Sequence, residues 1–78
     1  MVVNVLYFAS LRERTGCAKQ TLQLPRGATV ADAFALGLPR DVAAAGGVLF
    51  AVNQTYVQAD HVLFDGDEVA FIPPLGGG

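Results

Sequence analysis

The chain has 78 residues, of which 53% are hydrophobic and 15% charged, and it carries a net charge of -2. That length fits one domain over residues 1–78 and leaves no room for a second. Its basic residues (Arg12, Arg14, Lys19, Arg26 and Arg40) are scattered, which sets aside nucleic acid, and no apolar run reaches the length of a membrane span.

The charged share lies below the usual quarter or so, so apolar surface is left over for a partner. Cys17 has no second cysteine to pair with, which points to a reduced, cytoplasmic setting. It follows Gly16 in a predicted loop and reads as an incidental small residue rather than a reactive thiol. No histidine or cysteine stands at a metal-ligand spacing, and no nucleophile-elbow, zincin or phosphate-loop pattern occurs. Asp60-His61 reads as part of a surface loop. The N-terminus begins a strand, not a signal peptide.

Val2 to Phe8 is the first predicted strand, rich in β-branched and aromatic residues. Alternation sets Val3, Val5 and Tyr7 on one face and Val2, Asn4, Leu6 and Phe8 on the other. Ser10 is expected to cap a short helix over Leu11 to Thr15, with Glu13 as its capping-box partner and Gly16 as its stop. Lys19 to Leu24 alternates polar and apolar and fits an edge strand, closed by the turn at Pro25-Arg26-Gly27.

Thr29 is placed to cap the main helix, with Asp32 at its third position. Val30, Ala33 and Phe34 form its apolar stripe, and Gly37 and Pro39 end it. Pro39 opens a second helical segment through Ala45, which Gly46-Gly47 closes. Val48 to Asn53 is the third strand, and Tyr56-Val57 returns after a turn. Asp65-Gly66-Asp67 turns the chain into the last strand, Glu68 to Ile72. The order predicts an α+β fold: one mixed sheet of four to five strands, with the main helix across one face.

One helix covers only one face. With Val3, Val5, Tyr7, Val69 and Phe71 under it, the side chains of Leu6, Phe8, Ala70 and Ile72 face outward. Leu49 and Ala51 extend that apolar patch, which reads as a protein-binding surface. The patch leads into the tail, residues 73–78. Pro73 and Pro74 cannot donate to a ladder and end the strand. Gly76, Gly77 and Gly78 carry no side chain to pack or to do chemistry, only thin backbone and a carboxylate. That carboxylate is the candidate functional group, and the rest of the chain presents it.

Several segments together resemble the small, sulfur-carrier subunits of molybdopterin synthase, a ubiquitin-like β-grasp family. These are Tyr7-Phe8-Ala9 with Leu11-Arg12-Glu13, Leu24-Pro25 with Gly27-Ala28-Thr29-Val30, Val52 to Thr55, and Asp65 to Gly78. The resemblance implies that an ATP-using, ubiquitin-activating-like adenylyltransferase converts the Gly78 carboxylate to an acyl-adenylate. A sulfur donor protein then leaves a thiocarboxylate there. Leu75, Gly76 and Gly77 thread the tail into the large subunit's active site, where two rounds of transfer convert a cyclic pyranopterin monophosphate to molybdopterin. The carrier itself binds no cofactor or metal and is not an enzyme alone. Its assembly is a heterotetramer of two small and two large subunits, and Phe8, Tyr56, Ile72, Pro73 and Pro74 are the implied interface. Against the family pattern, Ile72 replaces a common aromatic, Gly76 replaces a serine or threonine, and Leu38 to Gly47 is shortened. Sulfur carriers of thiamine thiazole synthesis, which lack the helical connection and the Pro-Pro pair, are the near rival. Carriers for tRNA thiolation or cysteine synthesis, a protein modifier and a plain interaction module are the others.

Overall fold

The computed structural model of the chain describes residues 1–74. Among them are strands β1 (Val2–Tyr7), β2 (Lys19–Gln23), β3 (Leu49–Val52), β4 (Thr55–Val57) and β5 (Glu68–Ile72). Helices α1 (Ala9–Thr15), α2 (Val30–Gly37) and α3 (Arg40–Ala45) connect them. The sheet order is β2-β1-β5-β3-β4. β1 and β5 run parallel at the centre, and every other pairing is antiparallel. This is the mixed β-grasp sheet expected, with polar β2 on an edge.

Register carries the facial alternation across the strands. Val5 stands opposite Val69 and Val69 opposite Val52, while Tyr7, Phe71, Phe50 and Val57 form the next inward row. Val3, Val5, Val69 and Phe71 are fully buried under α2, whose Val30 and Ala33 are equally so. Phe34 meets both Phe50 and Phe71 edge-on at 5.3 Å, a geometry that sets a ring edge against the negative face of its neighbour. No charged or polar residue is buried among the described residues.

The predicted capping box of α2 is present. The Thr29 hydroxyl accepts from the Asp32 amide, and the Asp32 carboxylate accepts from the Thr29 amide. The predicted cap of α1 is not. That helix begins at Ala9, Phe8 occupies the cap position without a side-chain bond, and Ser10 lies inside the first turn. The reason is an abrupt reversal out of β1: Ala9 takes a left-handed backbone with φ 48, and the Leu11 amide bonds the Phe8 carbonyl. The helix therefore starts before Ser10 can cap it.

Tyr7 joins the sheet to the end of α2. Its hydroxyl donates to the Gly37 carbonyl at 2.6 Å, and the Gln20 side-chain oxygen lies 2.7 Å away. A phenol has one proton, so it serves these acceptors one at a time. A Cβ on Gly37 would stand 2.9 Å from that hydroxyl, so the glycine makes room for it. Burial pushes the phenol above its ordinary value of 10.0, and the charge interaction with Cys17 acts in the same direction. The folded value is the higher one, so this contribution to stability is intact below pH 10 and is lost as pH rises through the folded value. Tyr7→Phe is expected to lower stability by about 1 kcal/mol near neutral pH. The gap to wild type should narrow toward about pH 11, as denaturant titration at both pH values would read.

Two turns pin the end of the sheet away from the tail. Asn53 and Gln54 have φ 50 and 71 and close the β3–β4 hairpin, as two-residue loops of primed type require. The Asn53 amide donates to Asp67 at 3.0 Å and accepts from the Glu68 amide at 3.0 Å. Asp67 in turn accepts from the Phe64 amide. Motif residues in Val52–Thr55 and Asp65–Glu68 thus hold strand ends together.

Candidate functional site

The outward sheet face is graded from polar to apolar along the direction of β5. Its first row sets Thr21, Asn4 and Glu68 across three strands. The second sets Lys19, Leu6, Ala70, Ala51 and Tyr56 side by side. The last brings Ile72 opposite Leu49, and Phe8 lies beside this row, its amide bonded to the Phe71 carbonyl at 3.3 Å. Phe8 is 45% exposed, Leu49 49% and Tyr56 69%. Leu6 and Ile72 are half-buried. Ala51 and Ala70 have little exposed area of their own, yet they lie outside the inner core. They make a shallow floor with larger apolar side chains around it.

Phe8, Tyr56 and Ile72 therefore share one face, and Ile72 leads directly into half-buried Pro73 and exposed Pro74. Leu75, Gly76, Gly77 and Gly78, the expected threading and reacting residues, lie outside the described residues. Pro73 and Pro74 also wall a cleft of about 530 Å³ between α1 and α3. Arg14 and Asp41 form an ion pair across its rim, and the hydrogen bond from Arg14 holds the Asp41 carboxyl below its ordinary 3.8. The floor of the cleft includes Leu11, Val42 and Val48. This cleft was not legible in the sequence, because it exists only where two short helices meet the end of β5.

Exposed apolar side chains also occur elsewhere. Val62 and Phe64, with Met1 and Arg26, line a separate depression beside the Asp65–Asp67 turn. Among the described residues no group of histidine, cysteine, aspartate or glutamate is placed to hold a metal ion, and no helix is long and apolar enough to cross a membrane. Cys17 is half-buried against the core.

The ThiS family model matches residues 5–78. The chain belongs to the ThiS family. Among its relatives is a molybdopterin synthase sulfur carrier subunit of Chlamydomonas reinhardtii, 45% identical, with all of both chains covered. A solved Pyrococcus furiosus structure, described as a candidate molybdopterin converting factor subunit 1, is 32% identical. It matches at a TM-score of 0.81 over 96% of this chain and 99% of that one. The ThiS-family fold also recurs in a Helicobacter pylori complex of subunits 1 and 2 of molybdopterin-converting factor. There the match has a TM-score of 0.67 at 21% identity and covers all of both chains.

Proposed function

We propose that this chain is the sulfur carrier of a molybdopterin synthase, and that the carboxylate of Gly78 carries the sulfur. The observation behind this reading is the convergence of Phe8, Leu49 and Ile72 at the end of the sheet where the chain passes into Pro73-Pro74. A partner bound to that face receives whatever follows the prolines. The relatives' names and the two-subunit Helicobacter pylori complex support a large subunit as that partner.

The chemistry follows from the carboxylate. It is ionised at neutral pH and is a poor electrophile. Its oxygen attacks the α-phosphorus of ATP on an adenylating partner, pyrophosphate leaves, and an acyl-adenylate forms. A donor protein supplies sulfur at the oxidation level of sulfide. The sulfur attacks the acyl carbon, AMP departs with the oxygen, and a thiocarboxylate remains. Water then supplies the oxygen that restores the carboxylate once the sulfur has passed to the pterin. A dithiolene contains two sulfurs, so two carriers are consumed for each one made. Glycines without Cβ atoms suit a narrow channel, and three extended residues reach roughly 10 Å.

The adenylating step is directly testable. With a cognate adenylating enzyme, the chain should support exchange of labelled pyrophosphate into ATP, and a variant lacking Gly78 should not. Equal exchange by both would overturn the assignment to Gly78. Isopeptide adducts on cellular proteins that depend on Gly78, without any thiocarboxylate, would favour a protein modifier instead.

A further inference from the structure

We propose that Gly47 is a positioning residue for the tail: its bare Cα is the seat on which the Pro74 ring rests, and this contact sets the direction in which the chain leaves the sheet. The inference rests on the carrier reading and adds to it a residue distant in sequence from the tail.

The register leads to the contact. Leu49, the first residue of β3, stands opposite Ile72, the last of β5. Two residues back along one strand and two residues on along the other are Gly47 and Pro74. Proline has no amide proton, so the ladder cannot continue there by hydrogen bonding. Van der Waals contact takes its place. A Cβ built on Gly47 would lie 3.3 Å from Pro74 Cγ, 3.5 Å from Cβ and 3.8 Å from Cδ. Three ring atoms thus lie within 4 Å of the point where a side chain on residue 47 would begin. The backbone of Gly47 has φ 79, a conformation that glycine adopts at little cost.

The surroundings hold the seat in place. Val48 packs against the core on one side of Gly47. On the other side, Gly46 ends α3, and the ion pair between Arg14 and Asp41 ties α3 to α1. Pro74 is exposed, and Gly46 and Val48, the neighbours of Gly47, line the same cleft as Pro74. Because φ of proline is fixed, a small displacement of the ring changes the direction in which the chain leaves Pro74. Sulfur transfer is expected to depend on that direction, since misplacement by about 1 Å is worth about a hundredfold in rate.

Gly46 supplies the control. It has φ 75 and ψ -176, a region essentially confined to glycine, and a Cβ there would meet nothing within 4 Å. Both glycines have a positive φ, so Gly46→Ala and Gly47→Ala each carry a backbone cost. Only Gly47→Ala pushes on Pro74.

The test uses the full chain with its large subunit. In the wild-type protein, NMR should show nuclear Overhauser contacts between the Gly47 α-protons and the Pro74 ring protons. Single-turnover sulfur transfer from the preformed thiocarboxylate at saturating large subunit should fall about tenfold or more in Gly47→Ala. It should stay within about twofold of wild type in Gly46→Ala, with affinity for the large subunit unchanged in both. In a Pro74→Ala background, which removes an exposed ring and leaves the core alone, adding Gly47→Ala should change the rate by less than about twofold. Absent Overhauser contacts, equal rates for the two glycine variants, or full additivity with Pro74→Ala would each overturn the positioning role. A wild-type chain that forms no thiocarboxylate would overturn the carrier reading itself, a failure distinct from all three.

Discussion

Phe71→Ala should lower the stability of this domain by about 3–5 kcal/mol, as expected for a large core aromatic cut to alanine. Phe71 is fully buried, and its ring meets those of Tyr7, Phe34 and Phe50. It sits on central β5, so both neighbouring strands and α2 lose a partner at once. Small domains commonly have only about 5–15 kcal/mol of stability in total. Differential scanning calorimetry should therefore show Tm lower by more than about 10 °C. A loss below about 1 kcal/mol would mean that the cluster is not the centre of the core.

Phe8→Arg should do the opposite: leave folding intact and remove partner binding. Phe8 follows Tyr7 at the end of β1 but belongs to the outward face, where it is 45% exposed. A charge placed there remains solvated in the free chain, so stability should change by no more than about 0.5 kcal/mol. In the complex the guanidinium would be buried among Leu49 and Ile72 without a counter-charge. If Phe8 anchors the interface, affinity for the large subunit should fall by about 2 kcal/mol or more, or about thirtyfold, in calorimetric titration. Loss of folding instead would show that the two faces are assigned the wrong way round. Unchanged affinity would move the interface elsewhere, to the Val62–Phe64 depression or to the cleft between α1 and α3.

The contrast between these phenylalanines was legible in the sequence, because strand alternation has a period of two and both Val2–Phe8 and Glu68–Ile72 keep it. The α2 start was legible for a similar reason: Thr29 and Asp32 form a capping box within four residues. Ser10 and Glu13 offered the same local signal for α1 and were misleading. The left-handed turn at Ala9 starts that helix earlier, and this turn is imposed by where β1 ends. Contacts set by register over long separations were not legible. Asn53 with Asp67 and Gly47 with Pro74 are of this kind. Each depends on which strand lies beside which, and local patterning does not encode that order. The role proposed for the terminal glycines rests on their chemistry: they offer no side chains, so the proposal assigns the reaction to the Gly78 carboxylate.

Everything upstream is arranged, on this account, to present that carboxylate. The most direct measurement is intact mass, with sequencing of the C-terminal peptide, after incubation with a cognate adenylating enzyme, ATP and a sulfur donor. The predicted result is replacement of one oxygen by one sulfur, located at Gly78 and dependent on ATP. A C-terminal peptide that remains a carboxylate under conditions in which a known ThiS-family carrier is converted would contradict it.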